Sequence, residues 1–110
     1  MPLVFSGRPA MVAYLTCGDP SLEATKQIAM AAIDAGADIL ELGVPFSDPV
    51  ADGPVIQRAS QRALDGGTGL GDVLELAREL RKHNQETGLI VFSYLNPVLR
   101  FGLENFADAA

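Results

Sequence analysis

Residues 37–54 read ADILELGVPFSDPVADGP. The stretch opens as an apolar run, Ile39, Leu40 and Leu42, interrupted by one acid, Glu41. It continues into a segment stiffened by Pro45, Pro49, Gly53 and Pro54 that carries two more carboxylates, Asp48 and Asp52. A run this short and apolar reads as a strand buried on both faces, over residues 38–42, followed by a loop over residues 43–53. A helix is expected from Pro54, since a proline at the first helical position gives up no hydrogen bond. It should end before Gly66 and Gly67.

The same alternation extends outward in both directions. Upstream, residues 11–16, MVAYLT, form a second candidate strand, and CGDP after it is a turn. Asp19 is the expected cap of the next helix, with Pro20 at its first position. That helix spans about residues 21–35, with Leu22, Ile28, Ala29, Ala32 and Ile33 as its apolar stripe and Gly36 just past its end. Downstream, Val73, Leu74, Ala77 and Leu80 mark a helix running to about His83. Residues 89–94, LIVFSY, read as a third strand whose end carries Asn96-Pro97, and GLENFADAA begins another helix. The order β-α-β-α-α-β-(α) implies crossover connections and a parallel sheet. A doubly wound open sheet and an eight-stranded barrel both satisfy it. In both, reactive groups gather at the C-terminal ends of the strands. Here those ends hold residues 16–19, Glu41 with its loop, and residues 94–96.

Composition narrows the function classes. The chain has 110 residues, 48% of them hydrophobic, enough for one small packed domain or a piece of a larger one. Its net charge is −6 and its eight basic residues are scattered, so no basic stripe offers itself to nucleic acid. One cysteine, Cys17, excludes an internal disulfide and suits a reducing cytoplasm. The opening MPLVFSGRPA lacks the pattern of a secretory signal, and no apolar run reaches membrane-spanning length. A single histidine, His83, makes no metal site and reads as a solvated residue at a helix end.

Glu41 is the sharpest clue. A carboxyl at a buried strand end loses hydration, which favours its neutral form and suits it to proton transfer near neutral pH. The alternative is an interior glutamate paired with a lysine or arginine. Asp52 precedes Gly53-Pro54 at a helix start, so it is either a site carboxylate kept ionised there or a plain N-cap. The two together are more telling, because acid and base roles are separated by unlike environments. Asp48 is a turn former or part of a docking loop. Tyr14 and Tyr94 are pocket-lining candidates, with core packing as the default. Cys17 has no histidine at a motif spacing. GGTGLG, residues 66–71, follows a helix rather than a strand, so it reads as a loop and not as a dinucleotide fingerprint.

The stretch LELGVPFSDPVADGPVIQ, residues 40–57, closely resembles the signature of the tryptophan synthase alpha subunit family. YLTCGDP at 14–20, AIDAGAD at 32–38 and SYLNPVLRFG at 93–102 agree with it. The resemblance implies an α/β fold, the N-terminal part (about three βα units) of a (β/α)8 TIM barrel, with residues 1–110 as a piece of that single domain. It implies a lyase of tryptophan biosynthesis. The family cleaves indole-3-glycerol phosphate to indole and glyceraldehyde 3-phosphate, and passes indole to a beta subunit. By the same resemblance Glu41 is the catalytic acid/base and Asp52 the carboxylate facing the indole N–H. Tyr14, Ile56, Phe92 and Tyr94 line the substrate pocket, and Tyr14 stands where the family usually has Phe. Pro45, Asp48, Pro49 and Asn96 fall at the partner interface. The implied partner is the beta subunit, in an alpha2-beta2 assembly in the cytoplasm. No cofactor or metal is implied for this chain, pyridoxal phosphate being expected only in the beta subunit.

A barrel of this kind needs about 250 residues and usually takes its phosphate site from the loops after strands 7 and 8. Three strands are legible here, so the chain is expected to be an inactive part of the enzyme. Two other readings remain at this point. One is a sugar-phosphate isomerase or epimerase barrel, which would not bind indole. The other is a non-catalytic module that docks on a beta subunit.

Overall fold

The computed structural model describes residues 9–109. Residues 1–8, which include most of the opening segment tested for a secretory signal, lie outside the described residues. The elements follow in the order β1 (Val12–Thr16), α1 (Leu22–Asp34), β2 (Ile39–Gly43), α2 (Pro54–Asp65), α3 (Leu70–His83), β3 (Gly88–Phe92), α4 (Leu95–Phe101) and α5 (Leu103–Ala109). The three strands form one parallel sheet in the order β1-β2-β3. Tyr14 pairs with Glu41 and Glu41 with Ile90, and this register sets every side chain's face. Backbone bonds from Cys17 N–H to the Gly43 carbonyl (3.0 Å) and from Val44 N–H to the Phe92 carbonyl (2.9 Å) bind the C-terminal ends of the strands together.

The core lies on one side of the sheet. Ala13, Leu15, Leu40, Leu42, Leu89 and Val91 point from the strands into it. They meet Ala29 and Ile33 of α1 and Val73, Leu74, Leu76 and Leu80 of α3. Lys26 to Glu79 (3.1 Å) and His83 to Asp34 (2.9 Å) tie α1 to α3 along their exposed sides. His83 therefore has an acidic partner and is not a merely solvated residue. Ile28, expected on the buried stripe of α1, is 48% exposed. It lies one position before Ala29, which takes the inward place.

The turn after β1 departs from expectation. Ser21, not Asp19, caps α1, its Oγ accepting the Ala24 N–H at 3.1 Å. The Asp19-Pro20 peptide is cis, and Pro20 stands outside the helix. Gly18 adopts φ +94°, a left-handed conformation that glycine takes without strain, and its N–H donates to Thr25 Oγ1 at 3.0 Å. A side chain at Gly18 would run into the Thr68 hydroxyl, so the turn can pass the loop between α2 and α3 only without a Cβ. α2 begins at Pro54 and stops at Asp65; of GGTGLG, read as a loop over residues 66–71, only residues 66–69 are loop, and Leu70 and Gly71 open α3. β3 ends at Phe92, two residues short of the expected Tyr94. Asn96 and Pro97 lie in the first turn of α4, where a proline's missing N–H has no helical acceptor to lose.

Candidate active site

Among the described residues no helix packs into a core on the sheet's other face. Tyr14, Glu41 and Ile90 form one cross-strand row on it, and Thr16, Gly43 and Phe92 the next, closer to the strands' C-terminal ends. Ile90 and Phe92 are 41% and 49% exposed. Glu41 is half-buried rather than enclosed, because this face is open in the described residues. Among those residues its carboxyl takes no hydrogen bond and no ion pair, so no lysine or arginine here neutralises it.

Tyr14 organises this face. Its ring meets Phe92 edge-on, centroids 5.9 Å apart at 89°. Its hydroxyl lies over Gly43, where any Cβ would collide with it; the glycine that closes β2 makes room for the phenol. Burial pushes the Tyr14 phenol up, and a hydrogen bond with the Thr16 side chain offsets part of the rise. Asp52, Cys17 and Glu41 push it further in the same direction as burial. One phenol thus stands within the fields of both candidate carboxylates.

Asp52 comes from the loop between β2 and α2. The cap residue of α2 is Gly53, with no side-chain capping bond, so the plain N-cap reading of Asp52 fails. Its carboxylate is held instead by Tyr94, whose hydroxyl donates to Asp52 Oδ2 at 3.2 Å and accepts the Ala51 N–H at 2.8 Å. The Tyr94 ring packs on Phe46 of the same loop, centroids 5.5 Å apart. From the other side Gln57 Nε2 donates to the carbonyls of Asp52 (2.9 Å) and Pro49 (3.4 Å). The Asp52 N–H reaches the Pro49 carbonyl at 3.1 Å, closing a turn. Among the described residues Oδ1 of Asp52 takes no hydrogen bond, which leaves an acceptor beside a fixed one.

The remaining predicted positions divide. Ile56 is half-buried in the first turn of α2. Asp48 and Asn96 are exposed and Pro49 half-exposed, so all three offer surface at the C-terminal rim of the strands. Pro45 is buried within this chain and offers little. Sequence reasoning missed Thr16, Gly43 and Gln57, and no local pattern marks them. Their roles rest on neighbours in other strands or on loop carbonyls. Cys17 is fully buried, and burial pushes its thiol up to about 12, which makes it a core residue rather than a nucleophile. No cluster of metal-ligating side chains occurs among the described residues, and no helix there is long and apolar enough to cross a membrane.

An open strand face with one acid unpaired among the described residues, and a rim loop presenting a second acid, place two carboxylates around Tyr14 on a parallel α/β sheet. Residues 3–110 match the family model described as tryptophan synthase alpha chain. The tryptophan synthase alpha chain of Methylibium petroleiphilum is 54% identical over 103 residues, covering 93% of this chain and 38% of that one. That of Solibacter usitatus is 57% identical over 104 residues, covering 94% and 39%. The crystal structure of tryptophan synthase subunit alpha from Legionella pneumophila superposes with a TM-score of 0.87 at 46% identity, over 91% of this chain and 38% of that one. Tryptophan synthase from M. tuberculosis in its aminoacrylate-bound form gives 0.87 at 39% identity, over 93% and 41%. The chain thus spans about two fifths of the length of the relatives it matches. Those structures are (β/α)8 barrels, and the three strands and their helices correspond to part of one, which sets aside the doubly wound alternative.

Proposed function

The chain belongs to the tryptophan synthase alpha chain family, and on that premise we propose that it carries the acid–base groups of an indole-3-glycerol phosphate lyase. The observation that supports this reading best is the pairing of unlike carboxylates. Among the described residues Glu41 has no hydrogen-bond or ion-pair partner on the strand face, and the Asp52 carboxylate is bonded by Tyr94 at the rim.

The chemistry follows from what each can do. Glu41, protonated, gives its proton to the indole ring carbon that bears the glycerol chain. The ring nitrogen's electron pair moves into the ring, and positive charge develops at the N–H. Asp52 Oδ1 accepts that N–H and stabilises the charge. Glu41, now a carboxylate, removes the proton of the glycerol hydroxyl next to the ring. The carbon–carbon bond breaks, its electron pair returns to the ring and neutralises the nitrogen, and indole and glyceraldehyde 3-phosphate are released. Tyr14, Ile56, Phe92 and Tyr94 supply the apolar walls, and the phosphate is held by other βα loops of one complete barrel domain. The reading needs no cofactor or metal in this chain. Indole passes to a pyridoxal-phosphate-dependent beta subunit in an alpha2-beta2 assembly in the cytoplasm, with Asp48, Pro49 and Asn96 at the contact and Pro45 shaping it from beneath.

Glu41→Gln in the complete enzyme tests the assignment. Removing a proton-transfer group costs about 10²–10⁴-fold in turnover, so indole release should fall by at least that much while the fold survives. Turnover near the parent's would remove Glu41 from the reaction.

A further inference from the structure

Tyr94 has been placed in the pocket wall, a role that needs only its ring. Its hydroxyl has separate work. It joins two consecutive residues of the β2–α2 loop, accepting the N–H of Ala51 at 2.8 Å and donating to Oδ2 of Asp52 at 3.2 Å. These contacts cross 43 and 42 residues of sequence and run from the end of β3 to the outer part of a loop whose only other long-range hydrogen bond among the described residues, Val44 N–H to the Phe92 carbonyl, lies at its first residue. Gln57 fixes that loop only through backbone carbonyls, at Asp52 and Pro49. Tyr94 is therefore the one described side chain that bonds the Asp52 carboxylate itself. With Oδ2 so occupied, Oδ1 is left without a hydrogen bond among the described residues.

We infer that Tyr94 is the positioning residue of Asp52: its hydroxyl latches the β2–α2 loop to β3 and sets the direction in which Asp52 receives a substrate N–H. This inference rests on the assignment of Asp52 proposed above. The hydroxyl acts through Asp52 and touches no reacting atom. The ring's contact with Phe46 is a packing contact that a phenylalanine would keep.

The test is Tyr94→Phe in the complete enzyme, measured beside Asp52→Asn, the double variant and Glu41→Gln. Losing one charge-assisted hydrogen bond should lower kcat about tenfold. KM should stay within about twofold, because the apolar wall is intact. In the Asp52→Asn background the same change should cost little more, since both act through one carboxylate. Amide hydrogen exchange gives a readout independent of activity: the Ala51 N–H, deprived of its acceptor, should exchange faster in Tyr94→Phe while β2 and β3 are unchanged. A kcat loss that multiplies fully with that of Asp52→Asn would overturn the inference, as would a loss confined to KM or Ala51 exchange equal to the parent's. If Glu41→Gln is inactive and Tyr94→Phe behaves as the parent, the positioning role alone falls. If Glu41→Gln itself leaves cleavage intact, the site assignment falls and takes the positioning role with it.

Discussion

Asp19 and Arg62 meet fork to fork, Nε to Oδ1 at 2.8 Å and Nη2 to Oδ2 at 2.9 Å. The pair ties the turn after β1 to the last turn of α2. The Arg62 guanidinium holds the Asp19 carboxyl below the usual carboxylate range, chiefly by these hydrogen bonds; burial opposes them, and the guanidinium charge adds a smaller lowering. A carboxyl depressed in the folded state binds protons more readily when unfolded. Its stabilisation is therefore complete above the unfolded value of about 3.9 and disappears as pH falls through the lower folded value. Melting temperatures of the complete protein and its Asp19→Asn variant should differ most near neutrality and converge on acidification below about pH 4. A gap that persists unchanged in acid would mean that the variant is harmed by something other than the lost ion pair. The effect should be small, because Arg62 is mostly solvated and exposed ion pairs contribute little. Nothing local forecasts this pair. Asp19 and Ser21 are both good caps by type; Ser21 caps α1, and Asp19 instead pairs with an arginine 43 residues away.

Elements were far more legible than such pairings, for a physical reason. The strands are short apolar runs and the helices repeat their apolar residues every three to four positions, so local sequence carries the signal. Every strand and every one of the first three helices lies within about two residues of its expected place, the usual scatter of element ends. The misses differ in kind. Ile28 fits the helical period, but Ala29 is the buried one of the two. α4 is only seven residues long, too short for a helical period to stand out from the strand end before it. The helix that matters most to packing is α3, whose Leu80 is fully buried against the core. Leu80→Ala should cost about 2–5 kcal/mol in a denaturant melt of the complete protein, the range for a buried leucine that leaves a cavity. Cleavage by the folded population should be unchanged, since the site lies on the sheet's opposite face. A large loss of turnover per folded molecule would show that core and site are coupled through β2.

At the scale of the whole molecule the described residues leave one face of a parallel sheet without a layer over it. Parallel sheets are found covered on both faces, yet here one face carries Val12, Ile90 and Phe92 at 46%, 41% and 49% exposure. The two outer strands, β1 and β3, also offer unpaired edges. Barrel closure removes both defects at once: the open face becomes the packed interior, and each edge gains a neighbour. The same closure completes the site. Glu41 and Asp52 could be singled out from sequence because strand ends are where this architecture puts its chemistry. The pocket around them could not, because a barrel pocket draws its walls from all eight strands and only three are present among the described residues. The isolated chain should therefore bind a hydrophobic dye strongly, melt without a sharp transition and release no indole from indole-3-glycerol phosphate. Adding the rest of the barrel as a separate polypeptide should suppress dye binding, sharpen the melt and restore cleavage, and Glu41→Gln in this chain should block that restored activity alone. A sharp melt, low dye binding and measurable indole release from the 110 residues by themselves would mean that the open face is covered in some other way, such as by a second copy, and that the site is complete without the remaining strands.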